Sequence, residues 1–279
     1  AGNNTYEVVV QASDGSISAT QAISVTVTDV SNVLVVTTAD DVDDSGILTG
    51  AAYDAEWLNA NKGADGAISL REAILAANNA SGTTLIQFAI PGTGTHTITL
   101  SSALPAITSP LVIDATTDDS FAPNGGRPAI VLDGSVGASG DFDGLTLTAG
   151  SGGSTISGLV FQNFRGSGVV IENGSDGNTI TGNHIGIGAD GSTEAGNLDD
   201  GIRIESAGNH VVGNLIAGNQ EVGIWLTGPA ATGNAIQGNL IGVDASGTTA
   251  IGSLYGILVD AGSHANLIGG AAPGAGNLF

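Results

Sequence analysis

One three-residue pattern recurs near the C-terminus of the chain: Asn178-Thr-Ile180, Asn209-His-Val211, Asn234-Ala-Ile236 and Asn266-Leu-Ile268. A second pattern alternates with it, a glycine followed by an aliphatic residue, at Gly144, Gly168, Gly201, Gly223 and Gly256. Subtracting the positions of these glycines gives intervals of 24, 33, 22 and 33 residues. A period in the low twenties, lengthened twice by insertions of similar size, predicts a solenoid built from short strands.

Short strands with similar turn residues continue upstream of the repeats. The hydrophobic pattern predicts strands at 85–90, 96–100, 111–114, 129–133 and 145–148, separated by Gly, Asn, Asp and Ser. Three such strands in each coil of roughly 22 residues describe an all-β fold, a right-handed parallel β-helix over 85–279. The two longer coils carry similar inserts, Ile187 to Leu198 and Val243 to Leu254, which we expect to stack as a ridge on one face.

The repeated residues have expected places in such a coil. An inward asparagine at a turn can bond the asparagine of the next coil, which predicts a ladder of Asn178, Asn209, Asn234 and Asn266. Two buried columns are expected, one of Ile180, Val211, Ile236 and Ile268 and one of Ile202, Ile224 and Ile257. The asparagines that follow a glycine are expected to be turn residues in the left-handed conformation: Asn183, Asn214 and Asn239.

Residues 33–84 differ from the repeats and are expected to form a cap region. Residues 33–36 form a predicted strand, and residues 51–60 can be helical. A capping box of Ser69 and Glu72 predicts a helix over 69–79 with one apolar face. We expect this helix to cover the N-terminal end of the solenoid.

Residues 1–32 are predicted to hold two leading β-strands. Tyr6, Val8 and Val10 alternate with other residues, Asp14-Gly15 supplies a turn, and Ile23, Val25 and Val27 alternate again. The segments YEVVVQASDG and AISVTVTDV resemble the last two strands of bacterial cadherin-like repeats. This resemblance covers about a quarter of such a domain and implies that Asp29 contributes to a linker calcium site.

A second resemblance covers residues 33–279. The runs ADGAISLREAILAANN, LIQFAIPGTGTHTITL and GNLIGVDASGTTAIG resemble secreted bacterial β-helix proteins of the Ser-Leu-Arg-Glu-Ala type. The signature of that group starts with a cysteine, and Ile68 occupies that position here. The resemblance implies a β-helix fold and an extracellular or cell-surface location, and it carries no common chemistry.

The composition of the chain argues against some classes of binding partner. The chain has 279 residues, with 5 Lys+Arg against 27 Asp+Glu and a net charge of -22. Nucleic acids and anionic membranes need basic patches, so neither is expected as a partner. No apolar run is long enough to cross a bilayer. Cysteine and methionine are absent, so disulfides do not hold the chain together.

The residues 61–72 resemble a twelve-residue calcium loop. Oxygen donors from Asn61, Asp65, Ser69 and Glu72 and the carbonyl of Ala67 fall at ligand positions, and a helix follows. The pattern departs from the EF-hand at its first residue, where asparagine replaces aspartate, and at its third, where Gly63 offers no side chain. Alternatively, Asp65 only opens a turn and Ser69 with Glu72 only caps the helix. Calcium is therefore the expected cofactor, with this second reading left open.

A weaker calcium loop begins at Asp41, with further donors from Asp43 and Ser45, but it lacks the closing glutamate. The pattern favours the alternative, a solvated acidic loop. The acidic pairs Asp118-Asp119, Asp141/Asp143 and Asp199-Asp200 are expected to be solvated turn residues. The four histidines show no spacing typical of a metal site.

Catalysis has one set of candidate residues. A glycosidase needs two carboxylates about 5–10 Å apart, and Asp199, Asp200 and Glu205 lie near Arg203. His184 could also stack on His210. Aromatic residues, on which sugars usually stack, make up only 4% of the chain. We therefore expect no catalytic residues and keep these three carboxylates as the alternative.

The sequence favours a structural role. It predicts a segment of a large secreted bacterial surface protein, such as an adhesin stalk or a matrix or filament component. The alternatives are a carbohydrate-active β-helix enzyme, either a polysaccharide lyase or a glycosidase, and a glycan-binding module. Expected partners are other copies of the chain, with residues 1–29 adding as strands to a neighbour's exposed edge, and components of the cell surface or matrix.

Overall fold

The computed structural model describes residues 4–13, 18–27, 32–50, 52–135 and 141–279, with side chains described from residue 32 onward. The chain divides into two compact units, residues 1–31 and residues 32–279. In the first unit, strand β1 (Asn4–Ser13) pairs antiparallel with β2 (Ser18–Val27). The two leading strands are thus confirmed, whereas the predicted turn at Asp14-Gly15 and the predicted ligand Asp29 lie outside the described residues.

The second unit begins with a strand and two helices, β3 (Val33–Val36), α1 (Ala55–Ala60) and α2 (Leu70–Asn79). Short strands follow: β4 (Thr84–Phe88), β5 (His96–Thr99), β6 (Leu111–Asp114), β7 (Ile130–Asp133), β8 (Leu145–Leu147), β9 (Thr155–Ser157), β10 (Leu159–Gln162), β11 (Val169–Ile171), β12 (Thr179–Thr181), β13 (His184–Ile185), β14 (Ile202–Ile204), β15 (His210–Val212), β16 (Leu215–Ile216), β17 (Val222–Leu226), β18 (Ala235–Gln237), β19 (Leu240–Ile241), β20 (Tyr255–Val259) and β21 (Leu267–Ile268). A short 3-10 helix (Ala115–Thr117) follows β6.

The strands from β3 onward build three sheets with parallel pairing. An eight-stranded sheet runs β21-β18-β15-β12-β9-β6-β4-β3, a six-stranded sheet runs β19-β16-β13-β10-β7-β5, and a five-stranded sheet runs β20-β17-β14-β11-β8. From β8 onward the chain visits the five-, eight- and six-stranded sheets in turn, so each coil gives one strand to each sheet. The second unit is therefore a parallel β-helix with three strands per coil, as the glycine intervals predict.

The two aliphatic columns form the core of the coils. Ile180, Val211 and Ile236 are register partners and have no exposed surface, although Ile268 in the same column is 44% exposed. Ile202 and Ile224 are likewise fully buried partners, and Ile257 next to them is half-buried. Burial of such side chains stabilises by about 1.5–3 kcal/mol each, so the columns bind neighbouring coils together.

The glycines before the second column are required by close packing between coils. A Cβ on Gly201 would lie 2.5 Å from the carbonyl oxygen of Gly223, and one on Gly223 would lie 2.5 Å from that of Gly256. Real Cβ atoms do not approach oxygen so closely. Glycine therefore recurs in the sequence at the positions where the backbone of one coil packs directly against the backbone of the next.

Buried asparagines form ladders along the solenoid. In the predicted ladder, the side-chain oxygen of each asparagine accepts hydrogen bonds from the backbone and side-chain nitrogens of the preceding member, over Asn178, Asn209, Asn234 and Asn266. A second ladder follows the same rule over Asn183, Asn214, Asn239 and Asn277. The prediction of left-handed turn asparagines is therefore wrong at these positions. The glycines before them, Gly182, Gly213 and Gly238, take the positive φ angles instead.

The helical segment lies in the connection from β3 to β4. Ser69 caps α2 with the predicted capping box, and the helix buries Leu70, Ala73, Ile74 and Ala77. Both helices contact β3, which is the edge strand of the eight-stranded sheet. In the described residues, no helix is long and apolar enough to cross a membrane.

The two inserts meet on one face, as predicted. Each is closed by an antiparallel bridge, Ile187 with Glu194 and Val243 with Ala250. The backbone N–H of Ala245 donates to the carbonyl of Gly191 at 2.8 Å, which joins the inserts across the shorter coil between them. We call this surface the ridge.

Candidate functional site

The predicted calcium loop at 61–72 folds around a carboxylate of the protein. Asp44 Oδ2 accepts hydrogen bonds from the backbone N–H groups of Ala64 (2.9 Å) and Asp65 (3.2 Å). A Cβ on Gly63 would collide with the same carboxylate. The loop thus directs N–H donors toward its centre, whereas a calcium loop directs oxygen atoms there.

The closing residue of that loop, Glu72, is buried and hydrogen-bonded within the protein. It is 2% exposed. Its Oε1 accepts hydrogen bonds from the N–H groups of Asp44 and Ser45, and its Oε2 accepts from the N–H of Ser69, whose hydroxyl donates to the carbonyl of Val42 at 2.6 Å. Three backbone N–H groups thus hold the Glu72 carboxylate in place, from Asp44, Ser45 and Ser69. Ser69 and Glu72 form the capping box that the alternative predicts.

Two other predicted ligand residues, Asn61 and Asp65, make local hydrogen bonds. The side chain of Asn61 donates to the carbonyl of Trp57, and Asp65 accepts from the N–H of Ala67. In the weaker loop, Asp41 forms a bidentate pair with Arg71, with N–O distances of 2.9 and 2.8 Å. Asp43 accepts only from the Ser45 hydroxyl, and burial raises its pKa, with the Glu72 charge adding to the rise.

The predicted catalytic carboxylates do not form one pair. Asp200 precedes β14 and Glu205 follows it, so the extended strand holds them about 16 Å apart. Asp200 is only 1% exposed, and Glu205 lies 3.2 Å from Nε of Arg203. His184 and His210 are in different sheets and do not stack. Asp200 and Glu205 are therefore too far apart to act together in glycoside hydrolysis.

Asp200 is instead an unusual buried acid. Its Oδ1 accepts a hydrogen bond from the N–H of Val222 at 3.2 Å, and its Oδ2 is buried without a partner in the described structure. Burial, with the neighbouring charge of Asp199, raises the pKa of Asp200 to about 7. Burial also raises the pKa of Asp143, two coils earlier in the same sheet column. Asp200 is therefore partly protonated at neutral pH.

A second polar cluster lies near the N-terminal end of the solenoid. His96 at the start of β5 and Asp118 and Asp119 after the 3-10 helix place their ligand atoms within 4.8 Å of one another. In the described residues it is the one group of three or more His, Asp or Glu side chains close enough to share a metal ion. Burial alone would raise the pKa of Asp118, but hydrogen bonds from Ser120 and Ile90 and the nearby His96 hold it below its ordinary value.

Sequence reasoning missed this cluster because its members are far apart in the repeat. The available signal was the alternation in β5, which places His96 on the same inward face as Ile98. An inward histidine in an aliphatic strand is uncommon. Asp118, predicted to be solvated, is 3% exposed, whereas Asp119 is exposed as predicted.

The three sheets, the stacked asparagines and the ridge define a parallel β-helix protein of the solenoid class. Residues 126–278, more than half of the 279-residue chain, match the family model described as "Periplasmic copper-binding protein (NosD)". The chain belongs to the NosD family. No curated protein matches it.

The prediction of calcium as the cofactor is wrong. The family is described as copper-binding, and the Asp44 carboxylate occupies the centre of the predicted loop. The family match does not bear on the resemblance to the Ser-Leu-Arg-Glu-Ala proteins or on the resemblance to cadherin-like repeats.

The matched coils offer little to a copper ion. In the described part of 126–278, no three His, Asp or Glu side chains converge on one point. Nδ1 of His184 lies 3.0 Å from the carbonyl of Gly188, and burial lowers the pKa of this histidine. The whole chain lacks cysteine and methionine, the ligands that copper(I) prefers. A copper ion fits His96, Asp118 and Asp119 better than it fits the matched coils.

Proposed function

We propose that the chain is a structural segment of a bacterial protein that lies outside the cytoplasm. The observation that carries this proposal is the pair of asparagine ladders, which link the coils from Asn178 to Asn277 through hydrogen bonds that are buried in all but the last rung of each ladder. Each rung replaces water with a partner from the next coil. A solenoid held in this way resists separation of its coils.

The family description and the net charge of the chain support a location outside the cytoplasm. The family description names the periplasm, and a net charge of -22 favours solubility and repels anionic polymers. We propose the role of a stalk or matrix component, in which coils of fixed spacing hold other parts of the protein apart. Self-association through the β1–β2 hairpin stays a prediction.

The carbohydrate-active alternative has weaker support. Asp200 has the raised pKa that a general acid needs, yet its burial keeps a substrate away from it. The candidate site for a glycan is a shallow cleft beside the ridge, lined by Arg127, His184 and Leu215 among others. The Arg127 guanidinium is already donating to the carbonyls of Asn124 and Asp190. We therefore place the structural role first.

Pulling on single molecules tests the proposal. With handles at both ends of the chain, a load-bearing β-helix gives force peaks whose length gains match one coil or several. One coil of 22–33 residues corresponds to about 80–120 Å of extended chain at about 3.6 Å per residue.

A matched pair of variants identifies the source of the resistance. Asn209→Ala breaks one ladder and should lower the unfolding force, whereas Asn173→Ala removes an exposed asparagine and should not. Extension of the unmodified chain without force peaks would refute the structural role.

A further inference from the structure

His96 has a buried nitrogen that nothing in the described structure satisfies. The residue is 8% exposed, and its Nε2 has no hydrogen-bond partner. The φ angle of Gly92 is 132°, and a Cβ there would lie 3.1 Å from Cε1 of the His96 ring. The loop before β5 therefore packs directly against the imidazole. A buried polar atom that is held in place without a partner calls for one.

Asp118 faces this nitrogen and is held by its own hydrogen bonds. Its Oδ1 accepts from the N–H and hydroxyl of Ser120, and its Oδ2 accepts from the N–H of Ile90 at 2.9 Å. Because Oδ2 accepts only one of these bonds, it keeps an acceptor direction free. Nε2 of His96 lies 3.7 Å from Oδ1, too far for a hydrogen bond. The two groups are thus close, fixed and not bonded to each other.

Asp119 completes the cluster from the solvent side. It is exposed, and its carboxylate accepts no hydrogen bond from the residues that the structure describes. An ion could therefore reach the buried nitrogen past this residue. Two carboxylates would also balance the charge of a divalent cation.

We propose that His96, Asp118 and Asp119 bind one divalent first-row transition-metal ion, copper(II) or zinc. Two donors that are each about 2.1 Å from a common ion lie about 3–4 Å apart. The 3.7 Å between Nε2 and Oδ1 places the Asp118 carboxylate in that range, and Oδ2 of the same carboxylate carries the free acceptor direction. One imidazole and two carboxylates suit copper(II) and zinc, whereas the absence of thiol and thioether ligands disfavours copper(I).

This site goes beyond the structural role and lies outside the coils that match the family model, since both its segments precede residue 126. The site stands on the orphaned nitrogen of His96 and on the fixed carboxylate of Asp118, which are features of this chain. Failure of the metal site would leave the ladders and the structural proposal intact.

Titration calorimetry of the full chain with copper(II) or with zinc, at physiological salt, tests the site. We expect one ion per chain, with copper(II) bound more tightly than zinc. Pulsed electron paramagnetic resonance of the copper(II) complex should show coupling to a single imidazole. Each ion should also raise the melting temperature by mass action.

Three variants give the decisive comparison. His96→Gln should weaken binding at least about tenfold and remove the imidazole coupling. Asp119→Asn alters an exposed residue, so it should keep the fold and still weaken binding. His210→Gln replaces an exposed histidine of β15 and should leave affinity and spectrum unchanged.

The same measurements can overturn the proposal. Binding that is equally tight in the His96→Gln and Asp119→Asn variants would place the ion elsewhere. Calcium binding to this site as tightly as zinc or copper(II) would show only general attraction to an acidic surface. Absence of one-to-one binding by either transition metal would also refute it.

Discussion

Replacing Asp200 by asparagine should stabilise the β-helix at alkaline pH. The carboxyl group is 1% exposed, and its Oδ2 has no partner in the described residues. Burial, together with the charge of Asp199, raises its pKa to about 7 from an ordinary value of 3.8. Above pH 7 the folded protein must hold an ionised group that the unfolded chain would leave in water. Asparagine keeps an oxygen for the N–H of Val222 and carries no charge.

The sign and size of the effect follow from proton linkage. Between pH 4 and 7 the folded state binds a proton at Asp200 that the unfolded state does not, so stability falls as the pH rises through this window. A shift of about three pKa units corresponds to about 4 kcal/mol at most. The Asp200→Asn variant should match the wild type near pH 4 and be more stable by up to that amount at pH 8.

Urea unfolding at intervals from pH 4 to pH 8 measures this difference. Glu172→Gln is the matched control, because it removes the same charge from a partly exposed carboxylate outside the Asp200 cluster. The difference between wild type and Asp200→Asn should grow with pH, and the control should follow the wild type. The carbon-13 signal of the Asp200 carboxyl should titrate near pH 7. A destabilised Asp200→Asn protein at pH 8, or a carboxyl titrating near pH 4, would refute the reasoning.

Three further substitutions test the packing of the solenoid. Gly201→Ala should lower the melting temperature because the new Cβ would lie 2.5 Å from a carbonyl oxygen of the next coil, whereas Gly252→Ala, with nothing within 4 Å, should be neutral; equal melting temperatures would contradict the close approach. Asn214→Ala removes the acceptor of two buried N–H groups of Asn183, one on the backbone and one on the side-chain nitrogen, which keeps its bond to Ile156, at a cost of about 2–6 kcal/mol in unfolding free energy; a loss below 1 kcal/mol in urea titration would show that the ladder contributes little. Ser69→Ala removes the capping box of α2 and should cost about 1–2 kcal/mol, and unchanged urea unfolding would contradict that.

The periodic part of the fold could be predicted because each coil repeats one backbone path. Gly144 and Gly168 mark the same place in successive coils, and the interval between them is set by the number of residues needed to go once around. The capping box at Ser69 could be predicted for a similar reason, since its two residues are three apart on one helix. Local spacing decides both features.

Features that depend on which way a side chain points, rather than on the spacing of residues, could not be predicted from the sequence. Asn183 follows a glycine at a turn, but the glycine takes the positive φ and leaves the asparagine free to point inward. The loop at 61–72 has the residue types of a calcium loop, yet Asp44 from an earlier segment occupies its centre. His96 and Asp118 meet only because the chain has turned once between them. The sequence alone does not specify which way these side chains point.

Orphaned polar atoms stand out in a solenoid whose buried asparagines are paired from coil to coil. In the described residues, five buried side-chain atoms lack a hydrogen-bond partner, on Thr84, His96, Asp200, Arg203 and Ser253. The Nε of Arg203 still lies 3.2 Å from a Glu205 oxygen as an ion pair without hydrogen-bond alignment, and a lone hydroxyl costs less to bury than an ionisable group. The two residues that remain are His96, which lies beside two carboxylates, and Asp200, which lies beside a like charge. A repeating fold that can place asparagine at any rung has a simple way to satisfy such positions. Keeping an ionisable group there is expected where it binds a ligand or responds to pH, and the metal titration and the pH series examine these two positions separately.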